Sequence, residues 1–82
     1  MIHELKILPH YYLEVSVGNK KFEVRLNDRN FQTGDVVILN EYIPETQSYS
    51  GKKLTFKIGY ILKDFAGLAE GWVVFSLVGG DM

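Results

Sequence analysis

The residues best suited to chemistry are crowded into one segment of the 82-residue chain, VGNKKFEVRLNDRNFQTGD at positions 17–35. Lys20, Lys21, Glu23, Arg25 and Arg29 lie within ten positions. Residues two apart on a strand stand on one side, about 6.5–7 Å from each other, so Glu23 would lie between two cations that favour its ionised form. Arginine adds a planar fork of donors that fits a phosphate or the edge of a nucleobase.

This charged segment has two interpretations. It predicts either a solvated strand face, whose ion pairs each contribute about 0–1 kcal/mol, or a binding site for an anionic ligand. Tyr11, Tyr12 and Tyr60 could offer rings on which bases stack, although tyrosines more often belong to a core or its rim. The pattern alone leaves both interpretations open.

Composition narrows the class of protein. A net charge of −1 argues against a protein that binds nucleic acid or an anionic membrane with its whole surface. It is compatible with a local basic groove. The chain has no cysteine, and His3 and His10 stand seven apart without a calcium-loop pattern of carboxylates. We therefore expect no metal and no cofactor.

Length and hydropathy predict one domain over residues 1–82. The start of the chain has no basic residues followed by a long apolar run, so no signal peptide is predicted. The longest apolar run, WVVF, is too short to span a bilayer, and a cytoplasmic protein without membrane contact is expected.

Alternation with period 2 predicts a mostly β protein. In KFEVRL, residues 21–26, it would turn Phe22, Val24 and Leu26 to the core and the charged residues to solvent. Residues 36–42 and the WVVFSLV segment, apolar on both faces, are predicted strands, and DFAGLAEG is a predicted loop.

A longer alternation predicts a further strand at residues 53–63, preceded by a turn-rich connection, IPETQSYSGK. The side chains predicted to face inward are Leu54, Phe56, Ile58, Tyr60 and Leu62. PHYYLEVSV is ambiguous, because Gly18-Asn19 could close a hairpin, while Pro9 and Gly18 could begin and end a helix. About five strands with at most one helix predict a small barrel or sandwich.

The order of these residues resembles the opening of small activating signal cointegrator homology (ASCH) domains, in the PUA-like superfamily. The shared pattern is a Pro-led helix, a Gly-x-Lys-x-x-Glu-x-Arg segment and a Phe-x-x-Gly-Asp turn into a strand. The matching positions are Pro9, Gly18, Lys20, Glu23, Arg25, Phe31, Gly34 and Asp35. Glu41, Tyr49, Gly51 and the IGYIL segment look like the short, single-domain branch of bacterial and phage proteins.

The resemblance implies a mainly β (α+β) fold, a PUA-like small β-barrel of about five strands with one or two short helices, in which PHYYLEVSV is helical. It also implies a cleft between barrel and helix that holds RNA or a nucleotide-like ligand. The residues expected to contact that ligand are Lys20, Lys21, Glu23, Arg25, Arg29 and Tyr60.

One departure from the family bears on catalysis. A hydrolytic branch that removes acyl groups from modified cytidine resembles this chain at Lys20, but its threonine nucleophile stands where this chain has Glu23. A carboxylate cannot take that hydroxyl's role, so binding is favoured over catalysis. The alternatives are a small amidohydrolase of acylated nucleosides, with Lys20 as base, Glu23 as its partner and water as nucleophile, or an accessory interaction protein of a phage or mobile element.

Overall fold

Five strands form one sheet that curls into half a barrel, and a single short helix packs against it. The structure, a computed structural model, describes residues 1–80. The elements are β1 Ile2–Ile7, α1 Pro9–Ser16, β2 Phe22–Leu26, β3 Val36–Ile43, β4 Ser48–Leu62 and β5 Trp72–Val78. The spatial order is β1-β3-β4-β5-β2, with β1 parallel to β3 and the other neighbours antiparallel. The mainly β prediction is confirmed.

The first strand is an element that the alternation rule missed. In β1, His3, Leu5 and Ile7 are buried while the residues between them are exposed. A histidine at an inward position disguised this period, because histidine reads as polar. Its ring packs edge-on against Phe31, with the ring centroids 4.8 Å apart. The burial of His3 is therefore evident from the structure but not from the residue pattern.

Segment PHYYLEVS is a helix, and the hairpin alternative is wrong. Pro9 occupies the first turn, where its missing N–H costs no helical hydrogen bond. Gly18 ends the helix with a φ of 82°, and its N–H donates to Val15 O while Asn19 N–H donates to Glu14 O. These bonds close a Schellman motif, which redirects the chain so that Lys20 enters the site just before β2.

Helix α1 covers one part of the core. Val15 is buried, and Tyr12 packs against the same apolar cluster. Burial raises the pKa of the Tyr12 hydroxyl, and the nearby Glu41 carboxylate raises it further. Tyr12 therefore stays protonated and neutral at ordinary pH. Among the described residues, no helix is long and apolar enough to cross a bilayer.

Strand β4 differs from its prediction at both ends. It begins at Ser48, so the predicted connection shortens to a turn at residues 44–47. The inward prediction is wrong for Tyr60, which is 74% exposed, and for Leu62, which pairs with Val74 on the side of the sheet opposite the core. The β4–β5 register shifts between Ile58 and Ile61, and Ile61 packs against the core instead.

Strand β2 turns the opposite face to the core from the one predicted. Phe22, Val24 and Leu26 are 45%, 44% and 47% exposed, whereas Glu23 is 3% exposed. Glu23 pairs with Phe75 of β5, and paired residues share a face, so its carboxylate lies on the core side. A buried carboxylate is tolerated when cations pair with it, and the alternation rule ignores such pairing.

A second buried polar pair ties β1 to the start of β3. His3 Nε2 lies 2.8 Å from Asp35 Oδ2, which also accepts from Gln32 N–H, and the Met1 ammonium donates to Asp35 Oδ1 at 3.3 Å. The hydrogen bond with His3 is the main cause of a lowered pKa at Asp35; the Gln32 N–H and the Met1 ammonium add to it, and burial opposes it.

Because the folded-state pKa of Asp35 is lowered, its contribution to stability is present above the unfolded pKa, near 4, and is lost as pH falls through the folded value. We expect Asp35→Asn to be less stable than the wild type at pH 7 and the gap to close towards pH 2.5. Urea unfolding across that range measures it, with exposed Asp64→Asn as control. A gap of constant size at every pH would contradict this account.

Candidate functional site

The candidate site lies along the seam, the gap between the edge strands β1 and β2. These strands stand at opposite ends of the sheet, yet Arg25 Nη2 donates to Lys6 O at 2.7 Å and Arg29 Nη1 donates to Glu4 O at 2.8 Å. Successive carbonyls on a strand point to opposite sides, and those two residues apart point the same way. Met1 O accepts from Val36 N–H on the β3 side, so the carbonyls of Glu4 and Lys6 point away from β3, to the free edge. The free edge of β1 is therefore held by two arginine side chains.

A cleft of about 790 Å³ opens along this seam, within the size range of small-molecule sites. It is bordered by the end of β1, by α1, by β2 and by Trp72 at the start of β5. Charged and apolar side chains both line it. The residues used below are Tyr11, Lys20, Phe22, Glu23, Arg25 and Arg29.

Lys20, Glu23 and Arg25 form a charged cluster at the cleft. Lys20 Nζ lies 2.5 Å from Glu23 Oε2, and Arg25 donates to Glu23 Oε1 from Nε at 3.0 Å and from Nη2 at 2.7 Å. The Glu23 side chain is 4% exposed, against 17% for Lys20 and 24% for Arg25. The buried carboxylate thus holds two more accessible cations in place.

Donors remain in the charged cluster after these bonds are counted. The Lys20 ammonium has three N–H groups, of which Glu23 and Phe22 O accept two. Of the five N–H groups of Arg25, three serve Glu23 and Lys6 O, and the two on Nη1 have no hydrogen-bond partner among the described residues. Two cations and one anion leave a net charge of +1 beside the cleft.

Two aromatic rings flank the ammonium of the cluster. Lys20 Nζ lies 4.9 Å from the Phe22 ring centroid and 5.6 Å from the Tyr11 ring centroid. Both rings are about half exposed, at 45% and 49%. Rings this close to a cation gain cation–π attraction, and their free faces can stack on a planar ligand.

Four of the six predicted ligand residues line the cleft, and two do not. Arg29 lines the cleft outside the charged cluster, with its Nε 3.9 Å from Asp28 Oδ1. Lys21 instead lines a separate groove of about 530 Å³ beside Val17 and Phe56. Tyr60 projects from β4, a central strand that contributes no residue to the cleft lining.

Sequence reasoning missed the main-chain acceptors at Glu4 and Lys6. A carbonyl has no residue-type signature, so only the topology that brings β1 beside β2 could reveal them. It also assigned Phe22 to the core rather than to the cleft. Within residues 1–80, no three His, Asp or Glu side chains are grouped so that they could hold a metal ion.

Comparison with known proteins places this architecture in a family. Residues 2–77 match the family described as Domain of unknown function (DUF3850). The chain is also similar to the "Uncharacterized 12.9 kDa protein in GpA 3'region" of Escherichia phage P2, with 31% identity over 81 residues, covering 99% of this chain and 72% of that protein. Both edge strands and the whole charged cluster fall inside the matched region. The chain belongs to the DUF3850 family.

Proposed function

We propose that the cleft binds RNA or a nucleotide-like ligand through phosphate. The observation that carries this proposal is the set of unused donors on Lys20 and Arg25, next to two half-exposed rings. A phosphate oxygen accepts charge-assisted hydrogen bonds from such groups, and a base can stack on a free aromatic face.

Each residue has a distinct part in this proposal. Glu23 does not contact the ligand, because both of its oxygens already accept hydrogen bonds; it orients Lys20 and Arg25 instead. Arg25 Nη1, the third N–H of Lys20 and the guanidinium of Arg29 contact phosphate, and Tyr11 or Phe22 stacks on a base. Contacts to phosphate position the RNA but do not distinguish one base from another, so the protein should bind RNA of different sequences with similar affinity.

The resemblance to ASCH domains supports the same proposal. The residues that it assigns to a ligand cleft, Lys20, Glu23 and Arg25, are the three that meet in the charged cluster. The helix that it implies is the element bordering the cleft. We therefore also propose that the DUF3850 fold is a form of the ASCH fold.

The amidohydrolase alternative gains no comparable support. A general base must be free to take a proton from water. Lys20 is engaged as an ammonium with Glu23, and neither Glu23 oxygen is free of a cation. An attacking water would first have to displace one of these partners.

Salt-dependent binding tests the proposal. With a fluorescent single-stranded RNA of mixed sequence, we expect log Kd to rise with log salt concentration with a slope of about 2, from about three phosphate contacts. Arg29→Ala should reduce this slope by about 0.7, whereas Lys63→Ala, at an exposed position outside the cleft, should leave it unchanged. Competition by a nucleoside monophosphate distinguishes a single-nucleotide site from an RNA site.

Either of two results would contradict the proposal. One is the absence of binding to RNA and to nucleotides at low salt. The other is an equal loss of binding in Lys63→Ala and Arg29→Ala, which would indicate a diffuse attraction rather than a site.

A further inference from the structure

The apolar side chains of β2 continue onto β5 and form one sheet surface. Directly paired residues share a face, and the register pairs Val24 with Val74 and Leu26 with Trp72. We call the outward residues of these two strands the outer face. Its members are Phe22, Val24, Leu26, Trp72, Val74, Ser76 and Val78.

The side chains of the outer face carry no charge. The neighbouring charges lie at its edges: Lys57 of β4 opposite Val78, and Lys20 with its Nζ 4.9 Å from the Phe22 ring centroid. Gly59 of β4 keeps the surface low, since a Cβ there would stand 2.6 Å from Val78 Cγ2 and closer still to Ser76 Oγ. The surface thus lacks the features that discourage contact with another sheet.

Most of the large apolar side chains of this face are substantially exposed. Trp72 and Val78 are 40% and 50% exposed, alongside the β2 residues at 44–47%. Together they leave about 400 Å² of apolar side chain in water, and neighbouring Tyr60, 74% exposed, raises this to above about 500 Å². A stable dimer buries about 800 Å² of each copy, of which about 65%, or about 520 Å², is apolar. The outer face supplies about this apolar share when Tyr60 is buried with it.

We propose that the outer face is a homodimer interface, on which a second copy of this chain packs its own outer face about a two-fold axis. An uncharged face does not repel its own copy and presents no charge that demands an opposite charge on a different partner. Two such sheets pack face to face with their side chains interdigitated. Phe22, Val24, Leu26 and Trp72 belong to this face and also line the cleft, so the dimer leaves Tyr11 rather than Phe22 to stack on a ligand. The interface itself does not depend on any ligand.

Sedimentation equilibrium tests the interface. The wild type should sediment with twice its chain mass of 9.4 kDa. Leu26→Glu should raise the dimer Kd at least about 30-fold, because two carboxylates would be buried without partners. Leu13→Glu is the matched control: Leu13 is a leucine on α1 with 56% exposure against 47% for Leu26, and its variant should remain dimeric.

The tryptophan provides a second measurement, since the chain has only one. Trp72 lies on the outer face, so its emission should shift to longer wavelength as the wild type is diluted and the interface becomes wet. A 9.4 kDa species at about 100 μM with concentration-independent emission would overturn the proposal and assign the face to a different partner. Equal dissociation of the Leu13→Glu and Leu26→Glu variants would also overturn it.

Discussion

Replacing Glu23 with glutamine is expected to lower the free energy of unfolding by about 3 kcal/mol. Glutamine keeps the size of the side chain and one acceptor oxygen, but it removes the negative charge. Lys20 and Arg25, whose side chains are 17% and 24% exposed, would then be two neighbouring cations without their shared partner. For a domain of this size the loss corresponds to a fall in Tm of about 15 °C.

Urea unfolding at pH 7 measures this loss. Glu70→Gln is the control, because Glu70 is an exposed carboxylate in the loop before β5 and its substitution should change stability by less than about 0.5 kcal/mol. A similarly small effect of Glu23→Gln would show that the charged cluster does not hold the seam together.

Replacing Arg25 with lysine is expected to weaken RNA binding at least about 10-fold although the charge is kept. The guanidinium of Arg25 reaches Glu23 Oε1 and Lys6 O at once and still has both Nη1 donors unused. A lysine ammonium is a single point and cannot hold the carboxylate, the β1 carbonyl and a phosphate together. Stability should also fall by about 1–2 kcal/mol from the lost hydrogen bonds to the carboxylate and to β1.

Arg29→Lys is the matched control for Arg25→Lys. Arg29 makes one hydrogen bond across the seam, to Glu4 O, and a lysine can retain such a single contact. We expect its effect on RNA affinity to stay within about 3-fold. Equal losses in both variants would mean that the fork geometry of Arg25 has no special part in binding.

Much of the sheet could be predicted from local alternation, but the orientation of β2 could not. The alternation rule assumes that charged residues stay in water, and this assumption fails where Lys20 and Arg25 pair with Glu23. The prediction that Tyr60 faces inward was wrong for another reason. The β4–β5 register shifts between Ile58 and Ile61, and such a shift cannot be seen in the residue pattern of β4.

The pairing of Arg25 with Glu23 was predictable from strand spacing. The same spacing predicts Lys21 as the second cation, but Lys20, which only the resemblance indicated, holds that place. Only the resemblance to ASCH domains predicted the helix that borders the cleft, because the local pattern with its Gly18-Asn19 turn slightly favours a hairpin. The β1 side of the seam was beyond sequence reasoning, since it depends on a parallel pairing between residues more than thirty positions apart, such as Ile2 with Val36.

The central claim is that a ligand meets the unused donors of the charged cluster. Its most direct test is an NMR titration of the labelled protein with a short single-stranded RNA, following backbone amides and the Arg25 Nε–H. We predict shifts confined to the cleft residues Arg25, Lys20, Arg29, Tyr11 and Phe22, and lost in Arg25→Lys. Shifts centred on Lys52 and Lys53 of the exposed β4 end, or no shifts at low salt, would contradict the account.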